Sequence, residues 1–311
     1  MVPGHCYLGF QLDAEGKEFA ALETTLLGSA PEGEAVAIDG IGDVPEAWGT
    51  RNSWKSFTAA LAIGTADLAK NAEKFKKHDD PDYQIISIAA ARKLLAEAGF
   101  RVLLWDRPNC GASDLHFEGP SESAMQASFL VKLIRALDLG PTVLVSGSAG
   151  ARISLFAARE DPSAIAGLML CWISGGLVSM MRLGSYYCCE PAEEAALKGM
   201  EAVAAMPIWM QQVAANPRNR DYMLNFDRAR FVAQMERWAA GYIPSPDTPV
   251  GGISKADFAR LTMPARILRG SPDDLYHPAY VCEAVTELMP NARARSWSTS
   301  TLTTLAGSFQ S

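Results

Sequence analysis

The middle of the chain reads Pro141-Thr142-Val143-Leu144-Val145-Ser146-Gly147-Ser148-Ala149-Gly150 and continues into a stretch with helical periodicity, 151–159. The apolar run before Ser146 predicts a buried strand. A serine directly between a strand and a helix lies on a tight turn, with its hydroxyl clear of the backbone and the next amide at the helix N-terminus. Small residues at 146 and 150 let the two backbones approach closely. The stretch predicts Ser148 as a nucleophile; the alternative is a Ser/Gly-rich loop.

Composition indicates an ordinary soluble globular protein. The 311 residues are 49% hydrophobic and 20% charged, which is enough for one large α/β domain with an insertion or for two domains. The net charge of −7 argues against a nucleic-acid surface or an anionic membrane surface, since no basic cluster is longer than Lys74-Phe75-Lys76-Lys77. We therefore expect neither a nucleic-acid nor a membrane partner.

The N-terminus, the lengths of the apolar stretches and the cysteines indicate a location in the cytoplasm. The N-terminus lacks a basic region followed by an apolar core, and no stretch approaches 18 uninterrupted apolar residues. The six cysteines, at 6, 110, 171, 188, 189 and 282, show neither CxxC spacing nor the density of a disulfide scaffold. We expect reduced thiols and no metal site.

Strands and helices alternate along the chain in the way that builds a parallel sheet covered on both faces. We predict an opening antiparallel pair, helices over 88–98 and 122–138, and further strands, the one over 142–146 being central. The strands lie over 6–10, 23–27, 35–39, 100–106, 142–146, 166–172, 265–269 and 292–297. Each of the two helices ends near a glycine, Gly99 or Gly140, as helices commonly do.

One long segment interrupts this alternation and predicts a helical cap. Residues 174–261 contain helical pieces rich in Met, Trp and Tyr and no convincing parallel strand. A helical insertion between two strands of one sheet covers its carboxyl edge, where open α/β sheets bind ligands. We therefore predict a core domain of 1–173 and 262–311, with a cap of 174–261. Trp209 and Met210 could line an apolar pocket, or they could pack within the cap.

Two further stretches carry a resemblance to a known family. Residues 99–107 followed by Gly111-Ala112-Ser113-Asp114 are similar to the fourth strand of α/β-hydrolases and its D-x-x-x-x-G-x-S-D turn. Residues 268–278 resemble the stretch after the seventh strand, which carries the catalytic acid. Over about 35–297 the chain therefore resembles an α/β-hydrolase of the serine type. The resemblance implies a mostly parallel twisted sheet with helices on both faces and a helical cap insertion.

The resemblance also implies a mechanism of acyl transfer without a cofactor. Ser148 would attack a carbonyl, a base would take its proton, and two backbone amides would hold the oxyanion. The amide of Ala149 is the first expected donor. The second is expected from the amide of Ile41, in a loop where Asp39-Gly40 stands in place of the family's frequent His-Gly.

The acid and the base of this mechanism are less plainly marked. Asp273 has the family's commoner offset from Gly270, whereas Asp274-Leu275-Tyr276-His277-Pro278 resembles a D-x-x-H-P variant, and we favour Asp274. The family's base follows the last strand, yet residues 298–311 hold no histidine. His277 is therefore the predicted base, and His116 is the alternative.

These patterns leave three functions open. The first is a serine hydrolase, resembling an esterase or lactonase, that acts on a small to medium apolar ester, lactone or carbon–carbon bond. The second is a catalytically impaired α/β-hydrolase-fold protein that binds a small molecule. The third is a non-hydrolytic lyase, cyclase or acyltransferase of secondary metabolism, because fold alone does not define function. A homodimer is compatible with each of them.

Overall fold

A computed structural model describes residues 8–11, 19–22, 66, 69–70, 73, 93, 95–269 and 274–296 of the chain. The chain divides into two compact units, Met1–Leu104 with Ser298–Ser311, and Trp105–Trp297. In the first unit, β1 (Leu8–Gln11) pairs antiparallel with β2 (Phe19–Leu22). An antiparallel pair is present, as predicted, with its second strand at 19–22. The strand predicted over 23–27 lies outside the described residues.

The second unit is built on a four-stranded parallel sheet. Its strands run in the order β3 (Thr142–Ser148), β4 (Ile165–Ile173), β5 (Ala265–Arg269) and β6 (Ala292–Ser296). These bounds confirm the strands predicted over 142–146, 166–172, 265–269 and 292–297 to within two residues. Nearly every side chain of β4 is buried, as the continuous apolar runs of parallel strands require.

One predicted strand of the sheet is absent. Residues 100–106 form no strand, and Leu103 and Leu104 are 42% and 54% exposed. An apolar run becomes a strand only when its backbone pairs with a neighbour, and sequence pattern does not report that pairing. The strand predicted as central, β3, stands at one edge of the described sheet. The strand predicted over 35–39 lies outside the described residues.

Three helices accompany the strands of this sheet in the described residues. They are α1 (Glu122–Ala136), which leads into β3, α2 (Ala149–Glu160), which connects β3 to β4, and α10 (Ala279–Leu288), which connects β5 to β6. The Ser121 hydroxyl accepts a hydrogen bond from the Ala124 amide and so fixes the start of α1. The helix predicted over 122–138 ends two residues early, because Asp138 takes a φ of 46°. For the helix predicted over 88–98, the described residues 93 and 95–97 are helical.

Buried side chains of these elements form one hydrophobic core, the sheet cluster. Four of its members, Val250, Ile253, Phe258 and Leu261, come from the end of the 174–261 segment. The full set is Ala127, Leu130, Val131, Ile134, Leu144, Ala151, Ile153, Leu155, Phe156, Ala157, Ala158, Ala164, Ile165, Leu168, Leu170, Ile173, Val250, Ile253, Phe258, Leu261, Met263, Ala265, Ile267, Val281, Cys282, Val285 and Met289.

The segment between β4 and β5 is helical, as its sequence predicts. It contains α3 (Leu177–Gly184), a π-helical turn (Ser185–Cys189), α4 (Glu190–Lys198), α5 (Met200–Ala204), α6 (Pro207–Ala215), α7 (Arg218–Leu224), α8 (Arg228–Tyr242) and α9 (Lys255–Arg260). These helices bury a second core, the helical cluster, of Leu115, Phe117, Met125, Met180, Cys188, Ala192, Ala195, Met200, Val203, Ala204, Trp209, Met223, Phe231, Met235, Trp238 and Tyr242. None of the helices in the described residues is long and apolar enough to cross a bilayer.

Two asparagines fasten the helical segment to the turn that precedes α1. Asn219, which is 1% exposed, accepts a hydrogen bond from the Leu115 amide at 2.9 Å and donates to the Ser113 carbonyl at 3.0 Å. Asn216 donates to the Asp114 carboxylate at 2.8 Å. A buried amide side chain is stable only when its polar atoms are paired, so these contacts hold the turn and the helices in one arrangement.

Candidate active site

Ser148 lies where β3 meets α2, in a backbone conformation that few residues adopt. Its φ of 54° and ψ of −123° fall outside the broad allowed regions, which typically costs about 1–3 kcal/mol. The neighbouring backbones are close: a Cβ on Gly150 would lie 3.3 Å from the Ser146 Cβ, and a Cβ on Gly147 would lie 2.8 Å from the Trp172 indole nitrogen. Small residues are therefore required around Ser148, as the sequence predicts.

A histidine and a carboxylate continue from Ser148 in a chain of hydrogen bonds. The Ser148 Oγ lies 2.8 Å from the His277 Nε2, although 129 positions separate the two residues. The His277 Nδ1 lies 2.8 Å from the Asp274 Oδ2. The side chains of His277 and Asp274 are only 19% and 22% exposed. The structure thus brings together the three residues predicted as nucleophile, base and acid.

Asp274 is held by its own loop, which explains how an acid and a base three positions apart can interact. Its Oδ1 accepts hydrogen bonds from the backbone amides of Tyr276 at 2.9 Å and His277 at 3.0 Å. Burial raises the pKa of the Asp274 carboxyl, but the hydrogen bond and charge of His277 and these two amides outweigh it. The pKa of Asp274 therefore lies below its ordinary value, and the carboxylate is ionised near neutral pH.

The loop that carries Asp274 and His277 is also tied to α3. The Ser179 hydroxyl donates to the Tyr276 carbonyl at 2.9 Å, and the Arg182 guanidinium lies 5.4 Å from the centre of the Tyr276 ring. Ser179 itself is 2% exposed. These contacts fix the position of the loop relative to the end of β4, from which α3 follows.

One residue of this site was missed by sequence reasoning. The Ser174 Oγ lies 3.1 Å from the Ser148 Oγ, and Ser174 is 1% exposed. The available signal was positional: Ser174 directly follows β4, the strand that pairs with β3, and the carboxyl ends of parallel strands meet at one edge of a sheet.

The fold of the chain is indicated by its parallel sheet with helices and by a direct sequence match. Residues 86–220 match the family model described as the alpha/beta hydrolase fold. The chain has the alpha/beta-hydrolase fold. No curated protein matches the sequence of this hydrolase-fold chain.

Several solved structures are similar to this hydrolase-fold chain at low sequence identity. MGS-M2, an alpha/beta hydrolase enzyme from a Medee basin deep-sea metagenome library, is 18% identical over 73% of this chain and 86% of its own, with a TM-score of 0.46. A thermophilic esterase from Thermogutta terrifontis is 21% identical over 71% and 82%, with a TM-score of 0.43. The enol-lactonase from Burkholderia xenovorans LB400 is 16% identical over 70% and 82%, with a TM-score of 0.43.

The remaining residues that the sequence suggested for catalysis in this hydrolase-fold chain are Ala149, Ile41, Asp273 and His116. Ala149 is the first residue of α2, so its amide lies at the helix N-terminus beside Ser148. Ile41 and Asp273 lie outside the described residues. His116 interacts with Glu118 at 3.3 Å and packs edge to face on Phe129, with 5.0 Å between ring centres. It is His277, and not His116, that hydrogen-bonds to Ser148.

The predicted pocket residues differ from each other in burial. Trp209 is 4% exposed and packs edge to face on Phe117 in the helical cluster. Met210, the next residue, is 42% exposed. Contact of either residue with a substrate stays a prediction.

The described cysteines form no disulfide bonds with each other. Cys110, Cys171, Cys188, Cys189 and Cys282 are free thiols, and Cys6 lies outside the described residues. Burial raises the pKa of Cys171 to about 12, so its thiol is protonated and unreactive near neutral pH. Within the described part of the chain, no three His, Cys, Asp or Glu side chains are grouped to hold a metal ion.

Proposed function

We propose that this chain is a serine hydrolase that cleaves a small to medium apolar ester, lactone or carbon–carbon bond β to a carbonyl, without a cofactor. The observation that carries the proposal is the hydrogen-bonded chain from the Ser148 Oγ through His277 to Asp274. A serine hydroxyl is a weak nucleophile unless an adjacent base takes its proton, and a third group must orient that base. Ser148, His277 and Asp274 supply these three roles of nucleophile, base and orienting acid.

In the proposed reaction, the His277 Nε2 takes the proton of Ser148 while the Ser148 Oγ attacks the carbonyl carbon of the substrate. Asp274 keeps the proton of His277 on Nδ1 and stabilises the imidazolium that forms. The oxyanion is held by the amide of Ala149, which lies at the positive end of the α2 dipole. The second donor expected from the sequence, Ile41, lies outside the described residues. When the tetrahedral intermediate collapses, the bond from the acyl carbon to the leaving group breaks, and the leaving group departs with the proton that His277 returns. A water activated by His277 then attacks the acyl-enzyme and releases the acid.

The segment 174–261 acts in this proposal as a cap over the catalytic residues. Trp209 shapes the cap from within the helical cluster, and Met210 is the candidate for direct contact with an apolar substrate. Four residues near the end of the segment pack in the sheet cluster instead, which supports a cap whose own core ends at Tyr242 in α8. The domain bounds of 1–173 and 262–311 for the core belong to the same proposal.

The experiment measures hydrolysis of short-chain p-nitrophenyl esters and labelling by a fluorophosphonate probe. We expect the wild type to hydrolyse the esters and to be labelled once. Ser148→Ala should lose at least about a thousandfold in turnover and all labelling, because the covalent nucleophile is removed. His277→Ala should match that loss, and the double variant should lose no more, because the two residues act as one unit.

A matched control is Ser163→Ala, which removes a surface hydroxyl that hydrogen-bonds to Asp161 and Arg135 and contacts none of the three residues. It should keep full turnover and labelling. A Ser148→Ala variant that retained most of the activity would overturn the proposal. A wild type without either activity would instead favour a binding protein.

A further inference from the structure

Ser174 gives the proposed nucleophile a second hydrogen-bond partner. Its Oγ lies 3.1 Å from the Ser148 Oγ. The same Ser148 Oγ lies 2.8 Å from the His277 Nε2. Ser174 is 1% exposed, so its hydroxyl is shielded from competing water. A hydrogen bond inside a protein is stronger electrostatically than the same bond in water.

The direction of this hydrogen bond follows from counting protons along the chain of contacts. The ionised Asp274 carboxylate can only accept, so His277 donates from Nδ1. In the proposed function His277 is the base, so its Nε2 presents a lone pair, which accepts the single proton of the Ser148 hydroxyl. With its own proton committed, the Ser148 Oγ can only accept from Ser174, whose hydroxyl is therefore the donor.

A bulge in β4 positions Ser174 for this contact. Gly147 pairs with Cys171, but the next residue, Ser148, pairs with Ile173, so Trp172 is the extra residue of β4. Trp172 has a φ of 36°, which is a rare conformation for a bulky side chain. Bulges near active sites commonly redirect a side chain. Here the bulge shifts the register by one residue directly before Ser174.

We propose that Ser174 is a further catalytic residue, whose hydroxyl donates to the Ser148 Oγ and assists its departure from the acyl-enzyme. The proposal rests on the proposed serine-hydrolase function. In the acyl-enzyme the Ser148 Oγ is an ester oxygen, which accepts hydrogen bonds poorly. In free Ser148 the same atom is a better acceptor. The Ser174 hydroxyl therefore stabilises the state in which Ser148 has left, and it favours deacylation over acylation.

The step is balanced in atoms and electrons. His277 takes a proton from water while the water oxygen bonds to the acyl carbon and gives a tetrahedral intermediate. When this intermediate collapses, the bond between the acyl carbon and the Ser148 Oγ breaks and its electron pair goes to Oγ. The imidazolium of His277 returns a proton to Oγ, and the carboxylic acid is released. Ser174 keeps its own proton throughout and only donates the hydrogen bond.

The test separates acylation from deacylation in Ser174→Ala. Acylation is measured as the rapid release of p-nitrophenol from p-nitrophenyl butyrate, and deacylation as the decay of the acyl-enzyme mass adduct. We expect deacylation to slow by roughly tenfold or more, as loss of a hydrogen bond to a developing charge does. Acylation should change by less than about threefold, because the hydrogen bond to Oγ is already present in the free enzyme and therefore stabilises the starting state of that step as well as its transition state. The acyl-enzyme should therefore accumulate.

Two further variants exclude a merely structural effect. Ser174→Thr keeps the hydroxyl and should restore deacylation to a rate well above that of Ser174→Ala. Ser154→Ala removes the partner of a comparable buried serine pair, because the Ser154 Oγ lies 2.8 Å from the Ser146 Oγ. Ser154 is 3% exposed and does not contact Ser148 in this pair, so its variant should leave the ratio of the two rates unchanged.

The outcomes distinguish this inference from the proposed function. Equal slowing of both steps in Ser174→Ala, or no slowing of deacylation, would overturn the role of Ser174 while the wild type remains an active hydrolase. A wild type that forms no acyl-enzyme and is not labelled at Ser148 would overturn the proposed function itself.

Discussion

The sheet cluster and the helical cluster lie in one compact unit but are built from different side chains. Among the described residues, the sheet cluster is mostly Ala, Val, Leu and Ile, with two methionines, Met263 and Met289, and two aromatics, Phe156 and Phe258. The smaller helical cluster contains five methionines, Met125, Met180, Met200, Met223 and Met235, and five aromatics, Phe117, Trp209, Phe231, Trp238 and Tyr242.

This difference corresponds to two physical tasks. Branched aliphatic side chains have few rotamers, so a core made from them holds strand ends, and the residues on them, in a narrow range of positions. Methionine has three rotatable bonds and a polarizable sulfur, so a core rich in it can repack around different shapes. We therefore expect the sheet side to fix the geometry of the proposed catalytic residues, and the helical side to adapt to the substrate.

The largest expected effect comes from the acid on the sheet side. Asp274→Asn keeps the size of the side chain but removes the charge that holds the His277 proton on Nδ1, so turnover should fall by roughly a thousandfold or more. Hydrolysis of a p-nitrophenyl ester measures this, with Asp273→Asn as the control of equal chemistry. Equal and small losses in the two variants would place the acid outside this loop.

The next effect is a loss of stability in the sheet cluster. Leu170 lies in the middle of β4, is fully buried, and pairs with Ser146 on one side and Ile267 on the other. Leu170→Ala should lower the free energy of unfolding by about 2–5 kcal/mol and reduce turnover, because a cavity beside Ser146 loosens the support of Ser148. Urea unfolding and ester hydrolysis measure the two effects. Unchanged turnover in the folded variant would contradict the sheet as the fixed support.

A smaller loss of stability is expected at Asn219, which joins the helical segment to the turn before α1. Asn219→Ala leaves the Leu115 amide and the Ser113 carbonyl without their buried partner, which should cost about 1–3 kcal/mol in urea unfolding. Asn225→Ala is the control, because the Asn225 side chain contacts only the Asp221 carbonyl on the surface. Its expected change is within about 0.5 kcal/mol. Two equal losses would show that Asn219 does not join the two sides.

The smallest effect tests the adaptability of the helical cluster. Met235→Leu conserves volume and should cost less than about 1.5 kcal/mol, with a larger change in KM than in kcat. The matched substitution in the sheet cluster is Leu170→Met, which introduces a flexible side chain under the catalytic residues and should change kcat more than KM. A kcat effect of equal size in both variants would remove the functional distinction between the two clusters.

Much of the fold could be predicted from the sequence because the evidence for it is local. The strand ending at Ser148, the helix after it and the helices between Ser174 and Tyr242 follow from apolar periodicity and small residues in adjacent positions. The position of residues 100–106 and of the second strand at 19–22 could not be predicted in the same way. Strand formation depends on which backbone lies alongside, and this partner is remote or undefined in the sequence.

The sequence by itself determined the alpha/beta-hydrolase fold of this protein and indicated the three residues of its proposed catalytic chain. Asp274 and His277 were recognisable because they lie three positions apart in one loop, and Ser148 because its neighbours are small. Only the tertiary structure brought His277 to 2.8 Å from Ser148 and revealed Ser174 beside it. The physical reason is that parallel strands bring their carboxyl ends together from distant parts of the chain, while a one-residue bulge decides which side chain meets the nucleophile.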